Sequence, residues 1–199
     1  WLKIDKLKMD FPILQTDNDS YYLKRSFTHR YTDLGNPFLA HANSIEPLDR
    51  NSIIYGHSTR SSDKIFSKLF DYRTTRGFIN NPIIEFNTIY HDYKWKVYAV
   101  FITNATTAED NGYFFNYVWT NISEASFEQY IAELDSRKLY TTGVDIKPTD
   151  KILTLSTCLY EFDNARLVVV ARMVRDGESE EVDTCLLYTS DAADEGLGV

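Results

Sequence analysis

A chain of 199 residues fits one domain and is long enough to bury a real core. Its composition, 43% hydrophobic and 25% charged with 8 Gly and 5 Pro, is that of a globular protein and excludes a disordered or fibrous one. A net charge of −8 with no basic face argues against nucleic acid as a partner. No apolar stretch approaches the roughly 20 residues that span a bilayer. Two cysteines, Cys158 and Cys185, make no disulfide framework, and there is no CxxC or Cys/His cluster for zinc. The acidic residues form no oxygen cage, so neither metal nor cofactor is expected.

In chain order, residues 17–20 (Asp-Asn-Asp-Ser) and 33–37 (Asp-Leu-Gly-Asn-Pro) read as turns. Residues 52–55 are a short β-branched and aromatic run ending at Gly56. Apolar residues at 65, 66, 69 and 70 give 63–70 a helical spacing. Strands are expected at 83–88 and 94–103, the second with Trp95, Val97, Ala99 and Phe101 alternating onto one face. Residues 123–138 carry the clearest helix: Ser123 caps it, and Phe127, Tyr130, Ile131 and Leu134 form its apolar stripe. Two strands follow, 152–157 and 166–174. Strands dominate and no βαβ rhythm appears, so the expected fold is mainly β with inserted helices (α+β), a mostly antiparallel barrel. One domain is expected through residue 184.

Three residues carry candidate chemistry. Cys158 ends the strand Thr154-Leu155-Ser156-Thr157-Cys158, where a thiol meets a barrel rim. A lone cysteine is more often a small buried hydrophobe. Here, however, a polar and aromatic loop follows it, Leu159-Tyr160-Glu161-Phe162-Asp163-Asn164. His57 also sits past a strand end, after Gly56, which lets the chain turn sharply. Arg166 opens the last strand, eight residues after the cysteine, as expected for two lips of a hairpin. A fixed cation there can lower a thiol pKa or hold an oxyanion. Arg172 and Arg175 read instead as arginines in solvent, and His29, His41 and His91 as surface or satisfied residues.

Together, Thr154-Leu155-Ser156-Thr157-Cys158, Tyr55-Gly56-His57 and Ala165-Arg166-Leu167-Val168-Val169-Val170 resemble the three motifs of sortases, in the family's order. Phe11-Pro12-Ile13-Leu14-Gln15, Asp17-Asn18 and Tyr21-Tyr22-Leu23 are similar to the opening of class B members, as is the long helix before the Cys strand. Residues 42–47 depart from the family pattern. The resemblance implies a closed sortase β-barrel with an N-terminal helical segment, and a two-step acyl transfer. Cys158 would attack a sorting motif near the C-terminus of a secreted protein, Arg166 hold the oxyanion, and His57 protonate the departing amine. A peptidoglycan amine, or a lysine in a pilus-building relative, would resolve the thioester. Tyr55 and Ser156 are implied in substrate contact, and more weakly Asn18, Leu23, Tyr130 and Ile131. The resemblance also implies the extracellular face of a Gram-positive membrane, reached by an N-terminal anchor absent from this chain.

Two other readings use the same residues differently. A cysteine peptidase would only hydrolyse, and a non-catalytic β-barrel binding module would leave Cys158 unreactive. Residues 185–199 stand apart: Cys185-Leu186-Leu187-Tyr188-Thr189-Ser190-Asp191-Ala192-Ala193-Asp194-Glu195 looks like a translated sequencing adapter, with little to bury. This tail is expected to be foreign to the natural protein, and Cys185 to be no redox partner of Cys158. Resequencing the source locus tests this; an uninterrupted frame through Val199 in native DNA would overturn it.

Overall fold

The structure, a computed structural model, describes residues 1–59, 63–106 and 115–184, so the tail at 185–199 lies outside it. Eight strands form one sheet: β1 (Leu2–Ile4), β2 (Met9–Phe11), β3 (Phe38–Leu39), β4 (Asn51–Tyr55), β5 (Ile83–Phe86), β6 (Lys94–Asn104), β7 (Ile152–Cys158) and β8 (Ala165–Met173). Their order is β2-β1-β5-β6-β8-β7-β4-β3, antiparallel throughout except for the parallel pair β4–β7. A single backbone bridge, Leu14 to Phe38, joins the segment past β2 to β3. The N-terminus is thus strand rather than helix. Its helical content among the described residues is one 3-10 turn, Tyr21–Lys24.

The unbroken apolar run of β8 follows from burial on both faces. Leu167, Val169 and Ala171 enter a core with Leu2, Ile54, Phe66, Phe78 and Trp95, while Val168 and Val170 face a second core. That second core lies under helix α2 (Glu124–Arg137), whose Phe127, Tyr130 and Leu134 are buried. Ser123 caps α2 as expected, accepting from the Ser126 amide at 3.2 Å. Before it in the chain, a 3-10 segment (Ile65–Arg73) covers most of the helical region expected at 63–70, and α1 (Thr75–Asn80) follows beyond it. Among the described residues no helix is long and apolar enough to cross a membrane.

Two expectations are corrected. Trp95, Val97, Ala99 and Phe101 do not share a face, because the β6–β8 register shifts between Val97 and Ala99. The bulge at Tyr98 inverts the alternation: Trp95, Val97 and Val100 enter the first core, Tyr98, Ala99 and Phe101 the second. Nor is Arg172 in solvent; its side chain is 1% exposed. It grips Glu178 through both carboxylate oxygens, at 2.5 and 2.7 Å, and donates to the Asp145 carbonyl at 3.0 Å. Lys96 reaches the same Glu178 at 2.7 Å, and Arg175 pairs with Asp145 and Asp150. These charges clasp the chain leaving β8, at the end of the strand remote from Arg166.

The clasp generates a prediction. Arg172 and its neighbours hold the Glu178 carboxyl well below its ordinary value of 4.5. A depressed carboxylate contributes stability that is fully present above that ordinary value and is lost as pH falls through the folded one. Glu178→Gln is expected to cost about 3 kcal/mol at neutral pH, because it removes the nearest carboxylate from a buried guanidinium and leaves it only Asp145, at 3.4 Å. Denaturant melts from neutral pH downward should show the gap to wild type narrowing below about pH 4.5.

Candidate active site

Strand direction decides what meets at the rim. Because β4 and β7 run parallel, with Tyr55 opposite Ser156, both end on the same side of the sheet. Because β8 returns antiparallel, its first residues lie beside the last of β7, and Arg166 is the register partner of Cys158. The return passes through Asn164, whose φ of 57° is the left-handed conformation that asparagine tolerates. Thiol, imidazole and guanidinium therefore come to one cavity of about 290 Å³, lined by Cys158, His57, Arg166, Tyr55, Ser156 and Leu23 among others.

Each of the three side chains is half-buried. His57 Nε2 lies 2.8 Å from the Leu23 carbonyl. A carbonyl only accepts, so Nε2 carries a proton and Nδ1 is the nitrogen left for proton transfer. The orienting partner of this histidine is thus a backbone oxygen and not a carboxylate. Asp19 also borders the cavity, but its oxygens take the His41 amide at 2.7 Å and His41 Nδ1 at 2.9 Å. Arg166 donates to the neighbouring Ala165 carbonyl at 3.0 Å. Among the described residues it has no carboxylate partner, and it lines the cavity beside Cys158.

Sequence reasoning did not reach Tyr117. Its buried hydroxyl lies 2.9 Å from Ser156 Oγ, and its ring lines the cavity beside Cys158 and Arg166. Burial raises the phenol above its ordinary value, so it remains a neutral hydroxyl. Asn51, fully buried on β4, holds the segment by donating to the carbonyls of Tyr117 at 3.2 Å and Trp119 at 3.0 Å. A lone aromatic in an aperiodic loop carries no pattern; only the tertiary path brings it to Ser156.

Asn18, Tyr130 and Ile131 do not line the cavity. Asn18 Oδ1 caps a turn, accepting from the amides of Ser20 at 3.0 Å and Tyr21 at 2.9 Å. Tyr130 is buried under α2 and donates to the Tyr117 carbonyl at 3.1 Å, one step behind the site. Ile131 packs on the second core. The resemblance implied these two in substrate contact; on the apolar stripe of α2 they are core packing. Size alone does not mark the site either, since a cavity of about 310 Å³ under Trp1 and one of about 510 Å³ beside Lys94 match or exceed it. Chemistry distinguishes it.

Comparison with known proteins gives the family. The sortase domain model matches residues 2–174. The chain belongs to the sortase family. Sortase B of Listeria monocytogenes is 29% identical over 177 residues, covering 87% of this chain and 68% of that protein. The Staphylococcus aureus sortase B–substrate complex superposes with a TM-score of 0.78 at 26% identity, covering 88% of this chain and 78% of that one. A sortase B complexed with triglycine gives the same TM-score at 27% identity, covering 88% and 79%. This is therefore a class B sortase, a cysteine transpeptidase.

Gly56 leaves room for the Phe66 ring to pack against the His57 turn. A Cβ there would sit 2.6–2.9 Å from the Phe66 ring. Gly56→Ala is expected to destabilise by about 1–3 kcal/mol through overpacking. Adding Phe66→Leu should recover part of that loss in a denaturant melt of the double variant, which a purely conformational glycine requirement would not allow.

Proposed function

We propose that this sortase cleaves a sorting motif near the C-terminus of secreted proteins and transfers the acyl group to a cell-wall amine. The Cys158 thiolate adds to the scissile carbonyl, and Arg166 donates to the resulting oxyanion. His57, its Nε2–H tethered to Leu23, gives the Nδ1 proton to the departing amine, so the C–N bond breaks and a thioester remains. An incoming peptidoglycan amine attacks that thioester, returns a proton to His57 and releases the thiolate. Tyr55, Ser156 and Leu23 line the substrate channel, and Asn18, Tyr130 and Ile131 act at most from behind it.

The observation that carries this reading is one cavity shared by a thiol, an imidazole and a guanidinium without a carboxylate partner among the described residues. The relatives' substrate and triglycine complexes support a peptide donor and a small primary amine as acceptor. Residues 1–184 are taken as the catalytic domain. The Leu14–Phe38 bridge supports reading the sheet as a closed barrel. By family, the enzyme works on the outer face of a Gram-positive membrane.

Turnover of a sorting peptide with and without triglycine tests the reaction. Amine-dependent product marks transfer, whereas hydrolysis alone under both conditions would make it a peptidase. Cys158→Ala is expected to abolish both products, and His57→Ala to lower the rate about 10²–10⁴-fold. Arg166→Lys should be nearly inactive, because an ammonium lacks the guanidinium's planar donors. Near-wild-type turnover in Arg166→Lys would remove it from the oxyanion role.

A further inference from the structure

We propose that Ser58 is a positioning residue that couples the His57 turn to the Cys158 strand end, its hydroxyl standing in for a sheet rung that the backbone gives up. The inference rests on the catalytic reading of Cys158 and His57 given above.

Parallel strands exchange hydrogen bonds at two-residue intervals. The last backbone rung from β4 runs from the Gly56 amide to the Ser156 carbonyl, at 3.2 Å. The next in register would join residue 58 to the Cys158 carbonyl, but the chain has already left the strand so that His57 can turn into the cavity. The Ser58 hydroxyl supplies that bond, donating to the Cys158 carbonyl at 2.5 Å from a side chain with almost no exposure.

The rest of the turn is secured in the same manner. Thr157 Oγ1 donates to the Gly56 carbonyl at 2.8 Å, and the Phe66 amide to the His57 carbonyl at 2.9 Å. Tyr160, in the loop after the cysteine, donates through its hydroxyl to the Ser58 carbonyl at 2.7 Å. Three successive carbonyls, 56 to 58, are thereby held. Two of them are held by side chains flanking Cys158, and Ser58 returns the contact to Cys158 itself. His57 follows the end of β4 and Cys158 ends β7, and these hydroxyls tie their backbones together where the ladder between the two strands ends. A displacement on the order of 1 Å between reacting groups can cost about 100-fold in rate, so the tie bears on turnover more than on folding.

The test compares Ser58→Ala, Ser58→Thr and Tyr160→Phe in the full chain, with two readouts. One is sorting-peptide kinetics; the other is the pH profile of Cys158 alkylation by iodoacetamide, followed by mass on the Cys158 peptide. Ser58→Ala is expected to lower kcat about 10- to 100-fold with KM little changed. It should also slow or displace the alkylation profile by about threefold or more. Ser58→Thr, which keeps the hydroxyl, should restore both, and Tyr160→Phe should shift both in the same direction by less. Tyr160 is largely at the surface, so this variant and Ser58→Thr carry the test if Ser58→Ala does not fold. A lowered melting temperature with unchanged kcat and an unchanged alkylation profile would reduce Ser58 to a structural residue and overturn the proposal. If wild type turns over no sorting peptide, the proposed reaction fails. The alkylation profiles still decide the role of Ser58.

Discussion

The register of three adjacent strands is the constraint on which the site depends. Tyr55 opposite Ser156 and Cys158 opposite Arg166 are consequences of one alignment across β4, β7 and β8. Side chains alternate along a strand, so a one-residue slip of β7 would turn Cys158 away from the cavity and bring Thr157 in its place. The alignment is enforced by burial. Leu153 and Leu155 point to one core while Thr154 and Ser156 point to the α2 side, so a slip would drive hydroxyls into the first core and leucines against polar partners. The geometry of the reacting groups thus rests on the hydrophobic energy of strands several residues away.

On the α2 side the buried polar groups form a connected chain. Thr154 donates to the Asn51 side chain at 2.8 Å, and Asn51 donates to the carbonyls of Tyr117 and Trp119. Tyr117 reaches Ser156, and Tyr130 reaches Tyr117. Each member is buried and so must find its partner inside, which makes the chain specific as well as stabilising. It also explains how α2 influences the site without lining it. The helix fixes Tyr130, Tyr130 fixes the Tyr117 backbone, and Tyr117 forms the cavity wall.

Much of this was legible in the sequence wherever a local pattern carried it. Strands β4 through β8, helix α2 with its Ser123 cap, and the hairpin implied by the Cys158–Arg166 spacing follow from periodicity and turn residues. Three kinds of information were not local. The bulge at Tyr98 is a backbone event inside an unbroken apolar run, so the run gives no sign of the change of face. The burial of Arg172 depends on Glu178, which comes later in the chain and reads as part of an acidic exit. Tyr117 reaches the cavity only through Asn51 and Ser156, which are 66 and 39 residues away. Short strands such as β1 and β3, two or three residues long, offer too little alternation to read at all.

The distribution of charge follows from the same division between scaffold and site. At the clasp end, Arg172, Arg175 and Lys96 are matched by Glu178, Asp145 and Asp150, and burial there is tolerable because every charge has a partner. At the rim, Asp19 is occupied by His41 and Arg166 is left without a carboxylate among the described residues. A half-buried guanidinium in that state costs stability that a neighbouring aspartate would restore. The same aspartate would take up the planar donors and cancel the positive potential beside the thiol. A site that must stabilise charge appearing only during reaction has to hold its cation unsatisfied beforehand. The clasp shows that this fold can pair its buried cations, and under the proposed function Arg166, with no carboxylate partner among the described residues, is the cation kept for the oxyanion.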